Sequence, residues 1–276
     1  MSAPLPRLHA ITDNNILALA DLTDRAKAIG RSPNVALHAR DQGAPGRRLT
    51  EAAELLLAAG SAAGARLFVN DRADVALLVD AHGVHLPAGG LAVSKVRNLI
   101  GPDRWIGRST HSPAEAQRAS EEGADYVFLG PIWDTPSHPG RPAIGLDAIE
   151  RAQPARIIAI GGVTTSRAEA CLDAGAYGIA AISSLWLASD PGSAAAEMLL
   201  CIKEHLMTAS IEVTVNGDKR EFDSGSRLDD LLRVLELDPG MVVVEHNRVI
   251  VRRPQLQTTP LEDGDCVELV HFVGGG

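Results

Sequence analysis

Ile157-Ile158-Ala159-Ile160-Gly161-Gly162-Val163 is a short apolar run that stops on two glycines. Such a run, bounded by turn residues, has the pattern of a strand buried on both faces, and parallel sheets are built from strands of this kind. Similar runs precede it at 8–12, 35–38, 66–69, 84–86, 105–107 and 126–129, and one follows at 178–182. Between them lie segments such as 49–63, 113–122 and 166–174, with apolar residues at i, i+3 and i+4 as in amphipathic helices. Eight strand–helix units over residues 7–206 predict an α/β fold, a closed (β/α)8 TIM barrel of near-minimal size. An open doubly wound sheet is the alternative; the regular units and the glycine loops favour closure.

The period breaks at Met207-Thr208-Ala209-Ser210. A strand is expected at 211–215, then an Asn216-Gly217 hairpin turn and a second strand around Phe222. Ser226 is placed to cap a helix over 227–235. Strands at 242–245 and 249–251 follow, and 266–273 forms the last before Gly274-Gly275-Gly276. This order predicts a small β-grasp, ubiquitin-like α+β domain. The expected domains are 1–206 and 207–276, joined by a linker of a few residues, as in two fused proteins.

Composition narrows the functions. Hydrophobic residues make up 45% and charged residues 22%, the balance of a soluble globular protein. Aromatics at 3% and a net charge of −9 argue against a nucleic-acid partner, which needs stacking surfaces and phosphate-binding cations. Residues 207–276 hold 13 acids against 7 Lys and Arg, so −6 of the net charge lies there and −3 before it. No apolar run reaches the roughly 18 residues of a membrane span, and no signal-peptide pattern is seen. Cys171, Cys201 and Cys266 stand far apart with no metal or redox spacing. A cytoplasmic protein with buried thiols is expected.

Barrel active sites lie where the strands end. Gly161 and Gly162 after the seventh run, with Ile182 and Ser183 after the eighth, could form a backbone N–H nest for a phosphate, or be tight turns alone. After the fifth run, Gly107-Arg108-Ser109-Thr110-His111-Ser112 brings Ser109 and His111 to the rim. His111 is either a solvent-facing side chain or an acid/base group, since its ordinary pKa suits proton transfer near neutrality. Ser112 or Thr110 could cap the helix that begins at Pro113. Asn70-Asp71 either caps a helix or meets ligand. Arg40, and His38 with it, would enter the mouth. The loop 130–140 reads as a lid, with Thr135 and Ser137 as donors.

Residues 7–206 resemble the thiamine phosphate synthase/TenI superfamily. The resemblance rests on His9-Ala10-Ile11-Thr12-Asp13, Val69-Asn70-Asp71-Arg72, Gly83-Val84-His85-Leu86, Gly107 to Ser112, Asp125 to Pro131 and Ala159-Ile160-Gly161-Gly162. Residues 207–276 resemble ThiS, a sulfur carrier, through Val215-Asn216-Gly217, 245–251, 261–265 and Val273-Gly274-Gly275-Gly276. Two activities are implied by the first resemblance. A synthase joins a pyrimidine pyrophosphate to thiazole phosphate with Mg²⁺. Its Gln-x-Arg-x-Lys pattern reads Ala36-Leu37-His38-Ala39-Arg40 here, its second Mg²⁺-binding Asp falls at Gly90, and its pyrophosphate-binding lysine falls at His138. Asp71 would be its remaining metal ligand.

The tautomerase branch needs no metal or other cofactor. It aromatises a carboxythiazole phosphate by moving a proton, and its acid/base histidine aligns with His111. The departures make the tautomerase the expected activity and the Mg²⁺-dependent synthase the alternative. A third reading, of another class, is a non-catalytic scaffold that docks thiazole synthase. The second resemblance implies that Gly275 and Gly276 form a carrier terminus. A ubiquitin-activating-like adenylyltransferase would adenylate the Gly276 carboxylate, which would then be converted to a thiocarboxylate and hand sulfur to thiazole synthase.

Overall fold

A computed structural model of the chain describes residues 4–135, 140, 142–208, 210–223 and 225–271, the side chains of 208 and 271 excepted. The chain divides into two compact units between Ile202 and Lys203.

The first unit is a closed barrel of eight parallel strands in sequence order. They are β1 (Leu8–Ile11), β2 (Val35–Ala39), β3 (Arg66–Asn70), β4 (Gly83–Leu86), β5 (Trp105–Thr110), β6 (Tyr126–Leu129), β7 (Ile157–Ile160) and β8 (Gly178–Ala181). Closure comes from β1 pairing with β8 through Leu8–Ile179, His9–Ala180 and Ala10–Ala181. Helices over Leu22–Ile29, Gly46–Ser61, Ala73–Leu78, Val93–Ile100, Pro113–Glu121, Asp147–Arg151 and Thr165–Asp173 separate the strands. Each helix covers the outer strand face with an apolar stripe, such as Leu49, Ala53 and Leu56 on Gly46–Ser61. The strands therefore have no water-facing side, which is why they read as unbroken apolar runs.

The interior is filled by side chains: Ile11, Phe68, Tyr126, Phe128 and Ile158 cluster there with small residues such as Ala36 and Ala180. Gly107 makes room for this layer. A Cβ on it would overlap Tyr126 and come within 2.5 Å of His85 Nδ1.

The helix Pro191–Thr208 runs on through Met207. The break expected at Met207 is not a break in backbone conformation, because residues 193–208 contain no glycine or proline to stop a helix.

The second unit is a five-stranded mixed sheet of β9 (Ser210–Val215), β10 (Asp218–Asp223), β11 (Val242–His246), β12 (Val249–Val251) and β13 (Cys266–His271). Their order is β10-β9-β13-β11-β12, with β13 parallel to β9, the arrangement of a β-grasp. Asn216 and Gly217 sit at φ 50° and 88°, as the hairpin turn requires. Asn216 Oδ1 also accepts from the Leu269 N–H at 2.6 Å, tying the turn to the last strand. A helix over Leu228–Val234 packs Leu228, Leu231 and Leu232 onto Val213, Val244 and Val267. Its cap is Arg227 rather than Ser226, and the Asp230 carboxylate accepts from the Arg227 N–H at 2.9 Å. Among the described residues, no helix is long and apolar enough to cross a membrane.

Candidate active site

The carboxyl ends of the strands surround a cavity of about 510 Å³. Arg40 reaches it from the end of β2, Asn70 and Asp71 from β3, His85 from β4, Ser109 and His111 from β5, and Ile182 from beyond β8. Six residues picked from the sequence thus meet in one place.

The charges divide into spent and available. The Asp41 carboxylate faces the Arg48 Nε at 2.8 Å, and Arg72 makes a two-pronged pair with Asp74 at 2.8 and 2.5 Å. Arg40 and Asp71 carry no ion pair among the described residues. Burial lowers the Arg40 pKa from its ordinary value, while Asp13 opposes the shift. Asp71 stands at φ 66°, a left-handed conformation that Asp tolerates better than most residues. Its N–H donates to the His85 carbonyl at 2.9 Å.

His111 is fixed at both ends. Its ring Nδ1 lies 2.8 Å from the Gly130 carbonyl, and its backbone N–H donates to Glu115 Oε2 at 2.7 Å. Ser112 Oγ accepts from the Glu115 N–H at 3.3 Å, so the expected serine cap is present.

Beneath the rim lies a layer of buried imidazoles that the sequence reading did not assemble. His85 Nε2 is 2.8 Å from Ser109 Oγ, its Nδ1 is 3.2 Å from the Tyr126 hydroxyl, and its ring stacks on Phe128 with centroids 3.9 Å apart. His9 Nε2 meets the Pro6 carbonyl at 2.9 Å, His9 Nδ1 meets His38 Nε2 at 2.8 Å, and His38 Nδ1 meets the Asn70 side-chain amide at 3.0 Å. His38 is thus inside the barrel, not in the mouth, because its strand position points inward. Burial pushes its pKa down to about 4, with the Asn70 contact opposing. His9 and His85 are also lowered well below the ordinary value, by burial first and by neighbouring His38 second. The detectable signal was the place of each histidine within an apolar strand run.

Gly161 and Gly162 adopt φ 92° and 70°. Gly161 lines a small adjoining cavity of about 50 Å³ with Ser109, His111 and Gly130. A Cβ on Gly161 would fall 2.5 Å from Pro131 Cα, and one on Gly162 would fall 2.8 Å from Trp133 Cβ. Close packing of the β6 loop therefore accounts for glycine at both positions. Ser184 Oγ donates to the Val163 carbonyl at 2.7 Å and ties the two phosphate-loop candidates together. Ile182 borders the main cavity; Gly162, Ser183 and Thr135 border neither cavity. Ser137, His138, Gly275 and Gly276 lie outside the described residues.

Comparison with known proteins agrees with the barrel and the β-grasp unit. Residues 8–185 match the family described as thiamine monophosphate synthase, and residues 213–276 match the ThiS family. The chain belongs to the thiamine monophosphate synthase family. It is a fusion of that barrel with a ThiS domain, which places it in thiamine biosynthesis. It is 39% identical to the thiamine-phosphate synthase of Roseiflexus castenholzii over 68% of this chain and 84% of the relative. It is 40% identical to the thiamine-phosphate synthase of Thermus thermophilus over 64% of this chain and 86% of that protein. The solved thiamine phosphate pyrophosphorylase from Pyrococcus furiosus superimposes with a TM-score of 0.62 at 30% identity, covering 72% of this chain and 96% of the other. None of these three proteins is named for the tautomerase activity that the departures from the synthase pattern led the sequence reading to expect.

Proposed function

We propose that the barrel is a thiamine-phosphate synthase, joining a pyrimidine diphosphate ester to a thiazole phosphate. The ring nitrogen of the thiazole forms a bond to the pyrimidine's methylene carbon as the carbon–oxygen bond to diphosphate breaks. The observation that carries this reading is identity near 40% to relatives named for that reaction, over most of the barrel. The site is compatible with it. Arg40 would hold diphosphate oxygens, each charge-assisted contact being worth about 1.5–3 kcal/mol. Ser109 would be held by His85 for contact with substrate. The Gly161-Gly162 and Ile182-Ser183 amides would take the thiazole phosphate.

Among the described residues, no group of three or more His, Cys, Asp or Glu could cage a metal. Mg²⁺ often binds through only one or two carboxylates together with substrate phosphates, and Asp71 fits that lesser role. There the ion would offset charge on the departing diphosphate.

A specific observation favours a second reading, the isomerisation of carboxythiazole phosphate. The synthase pattern's arginine position is His38, which is buried and uncharged by its surroundings, and Gly90 offers no second carboxylate. His111, held by Gly130, is the acid/base group this reading requires. Transfer is placed first because the likeness extends along most of the barrel, whereas the departures touch a few positions.

The deciding experiment assays the full chain with pyrimidine diphosphate and thiazole phosphate, with and without Mg²⁺, beside a carboxythiazole phosphate assay. Mg²⁺-dependent formation of thiamine phosphate is expected. Isomerisation without it would install the second reading, and no saturable binding of either thiazole would leave a scaffold.

We place the functional boundary at 206/207. Residues 207–276 would carry sulfur on the Gly276 carboxylate, docking an adenylating enzyme and thiazole synthase in the cytoplasm.

A further inference from the structure

A third cavity, of about 330 Å³, lies at the opposite end of the barrel, where the strands begin. Arg66 opens β3, Asp80, Ala81 and His82 lead into β4, and Asp103, Arg104 and Trp105 lead into β5. These are the three strands whose far ends bring Asn70, His85 and Ser109 to the candidate active site.

Residues at this end of a barrel ordinarily serve stability. Arg104 does so: it pairs with Asp80 and donates to the Ala81 carbonyl at 3.1 Å and the Ile100 carbonyl at 3.3 Å. Three of its neighbours do not. The half-buried Arg66 guanidinium has no ion pair or hydrogen bond among the described residues. His82 Nδ1 accepts from the Leu67 N–H at 3.1 Å, so the neutral ring carries its proton on Nε2, with no acceptor for it among the described residues. The Trp105 indole N–H likewise has none there. Burial lowers the His82 pKa first and Arg66 second, with Asp80 opposing, so the ring stays a neutral donor beside an unpaired cation. The exposed Asp103 carboxylate is the acceptor left unspent in the lining.

Three unspent donors, one of them cationic, suit phosphate oxygens. An indole suits a planar ring, and a carboxylate suits the N–H of an amine. The volume lies within the range of small-molecule sites. We propose that this cavity binds a phosphorylated heterocycle with an exocyclic amine, of the nucleoside monophosphate class, with Arg66 and His82 on the phosphate, Trp105 against the ring and Asp103 on the amine. The site is separate from the candidate active site and does not depend on which reaction is carried out there.

Calorimetric titration of the full chain with AMP reads affinity, and tryptophan fluorescence reads place. AMP should bind saturably, with adenosine and inorganic phosphate each at least about tenfold weaker. Arg66→Ala should weaken AMP at least about tenfold, the worth of one charge-assisted contact, while Arg40→Ala at the other end leaves it unchanged. AMP should quench fluorescence in the wild type and not in Trp105→Phe, since Trp133 and Trp186 do not line this cavity. No saturable AMP binding, or equal binding by wild type and Arg66→Ala, would overturn the proposal. Binding lost in Arg40→Ala and kept in Arg66→Ala would do the same, placing the nucleotide in the active site. Phosphate bound as tightly as AMP would overturn the assignment of a heterocycle. Arg66 stands outside the interior cluster against which Trp105 packs, so its variant decides the point even if Trp105→Phe fails to fold.

Discussion

His111 Nδ1 stands 2.8 Å from the carbonyl oxygen of Gly130. A carbonyl only accepts, so the neutral ring keeps its proton on Nδ1 and Nε2 is the basic nitrogen. The contact spans from the end of β5 to the end of β6, and fixes the ring at the rim of both cavities. This gives His111 a defined orientation without assigning it a reaction.

The first prediction uses that distinction. His111→Asn keeps a polar side chain but removes the base. If the barrel isomerises carboxythiazole phosphate, kcat should fall about 10²–10⁴-fold. If it carries out transfer, kcat for thiamine phosphate formation should fall by less than about tenfold, since no proton transfer by His111 is needed. Measuring both reactions in one variant tells which chemistry depends on the imidazole. Wild-type rates in both would remove His111 from either mechanism.

The second prediction concerns the available charges. Arg40→Ala should raise KM for the pyrimidine diphosphate about 10- to 150-fold, the equivalent of one charge-assisted contact, and leave KM for thiazole phosphate near its original value. Asp71→Asn is a gentle companion because Asn also tolerates the left-handed backbone at φ 66°. It should shift the Mg²⁺ dependence to higher concentration without lowering thermal stability. An unchanged Mg²⁺ profile would take Asp71 out of metal binding.

The sequence carried the barrel well, because most strand residues are buried on both faces and so read as short apolar runs. Strand ends shifted by a few residues: β5 runs through Ser109 and Thr110, which sequence placed in the loop. Those residues are polar, yet they remain paired with β6 through Phe128 and Leu129. The site was legible where a polar residue terminates an apolar run, as at Arg40, Asn70 and His111. It was not legible inside the runs. His9, His38 and His85 lie on three separate strands, and pairing and curvature of the sheet bring His38 within 5.1 Å of His9 and 5.8 Å of His85 between ring centroids. Local periodicity has no access to that convergence. Gly107 has the same origin: its lack of a side chain answers to Tyr126 and His85, which are distant in sequence.

The third prediction follows from those buried rings. His38 falls from an ordinary 6.5 to about 4, chiefly through burial, and His9 and His85 shift in the same direction. Between these values the unfolded chain binds more protons than the folded one, so unfolding free energy rises with pH. The stability from keeping the rings neutral is complete above about pH 6.5 and is lost as pH falls toward 4, roughly 3 kcal/mol for His38 alone. All three tryptophans, Trp105, Trp133 and Trp186, lie in the barrel, so their fluorescence reports that unit. Urea unfolding at pH 7.5 and pH 5 should show a clear drop in midpoint on acidification. A midpoint that is flat across this interval would mean the rings are hydrated or paired in the folded state.

The fourth prediction addresses the sulfur carrier. In the second unit, Asp265 accepts from Asn247 Nδ2 at 2.7 Å and from the Glu262 N–H at 2.8 Å, and lies 2.6 Å from His246 Nε2. This knot anchors the start of β13, the strand that leads toward the glycine tail. Gly275 and Gly276 lie beyond the last residue of β13 in sequence, so their removal is expected to leave folding unchanged and take away only the reacting terminus. Asp265→Ala should do the reverse: a lower melting temperature from losing charge-assisted bonds, with the terminus still chemically present. Incubation with an adenylating enzyme and ATP, followed by intact-mass measurement, reads both. Wild type and, below its melting point, Asp265→Ala should gain the acyl-adenylate mass, and the shortened chain should not. Modification of the shortened chain would place the reactive group elsewhere and end the assignment of Gly276.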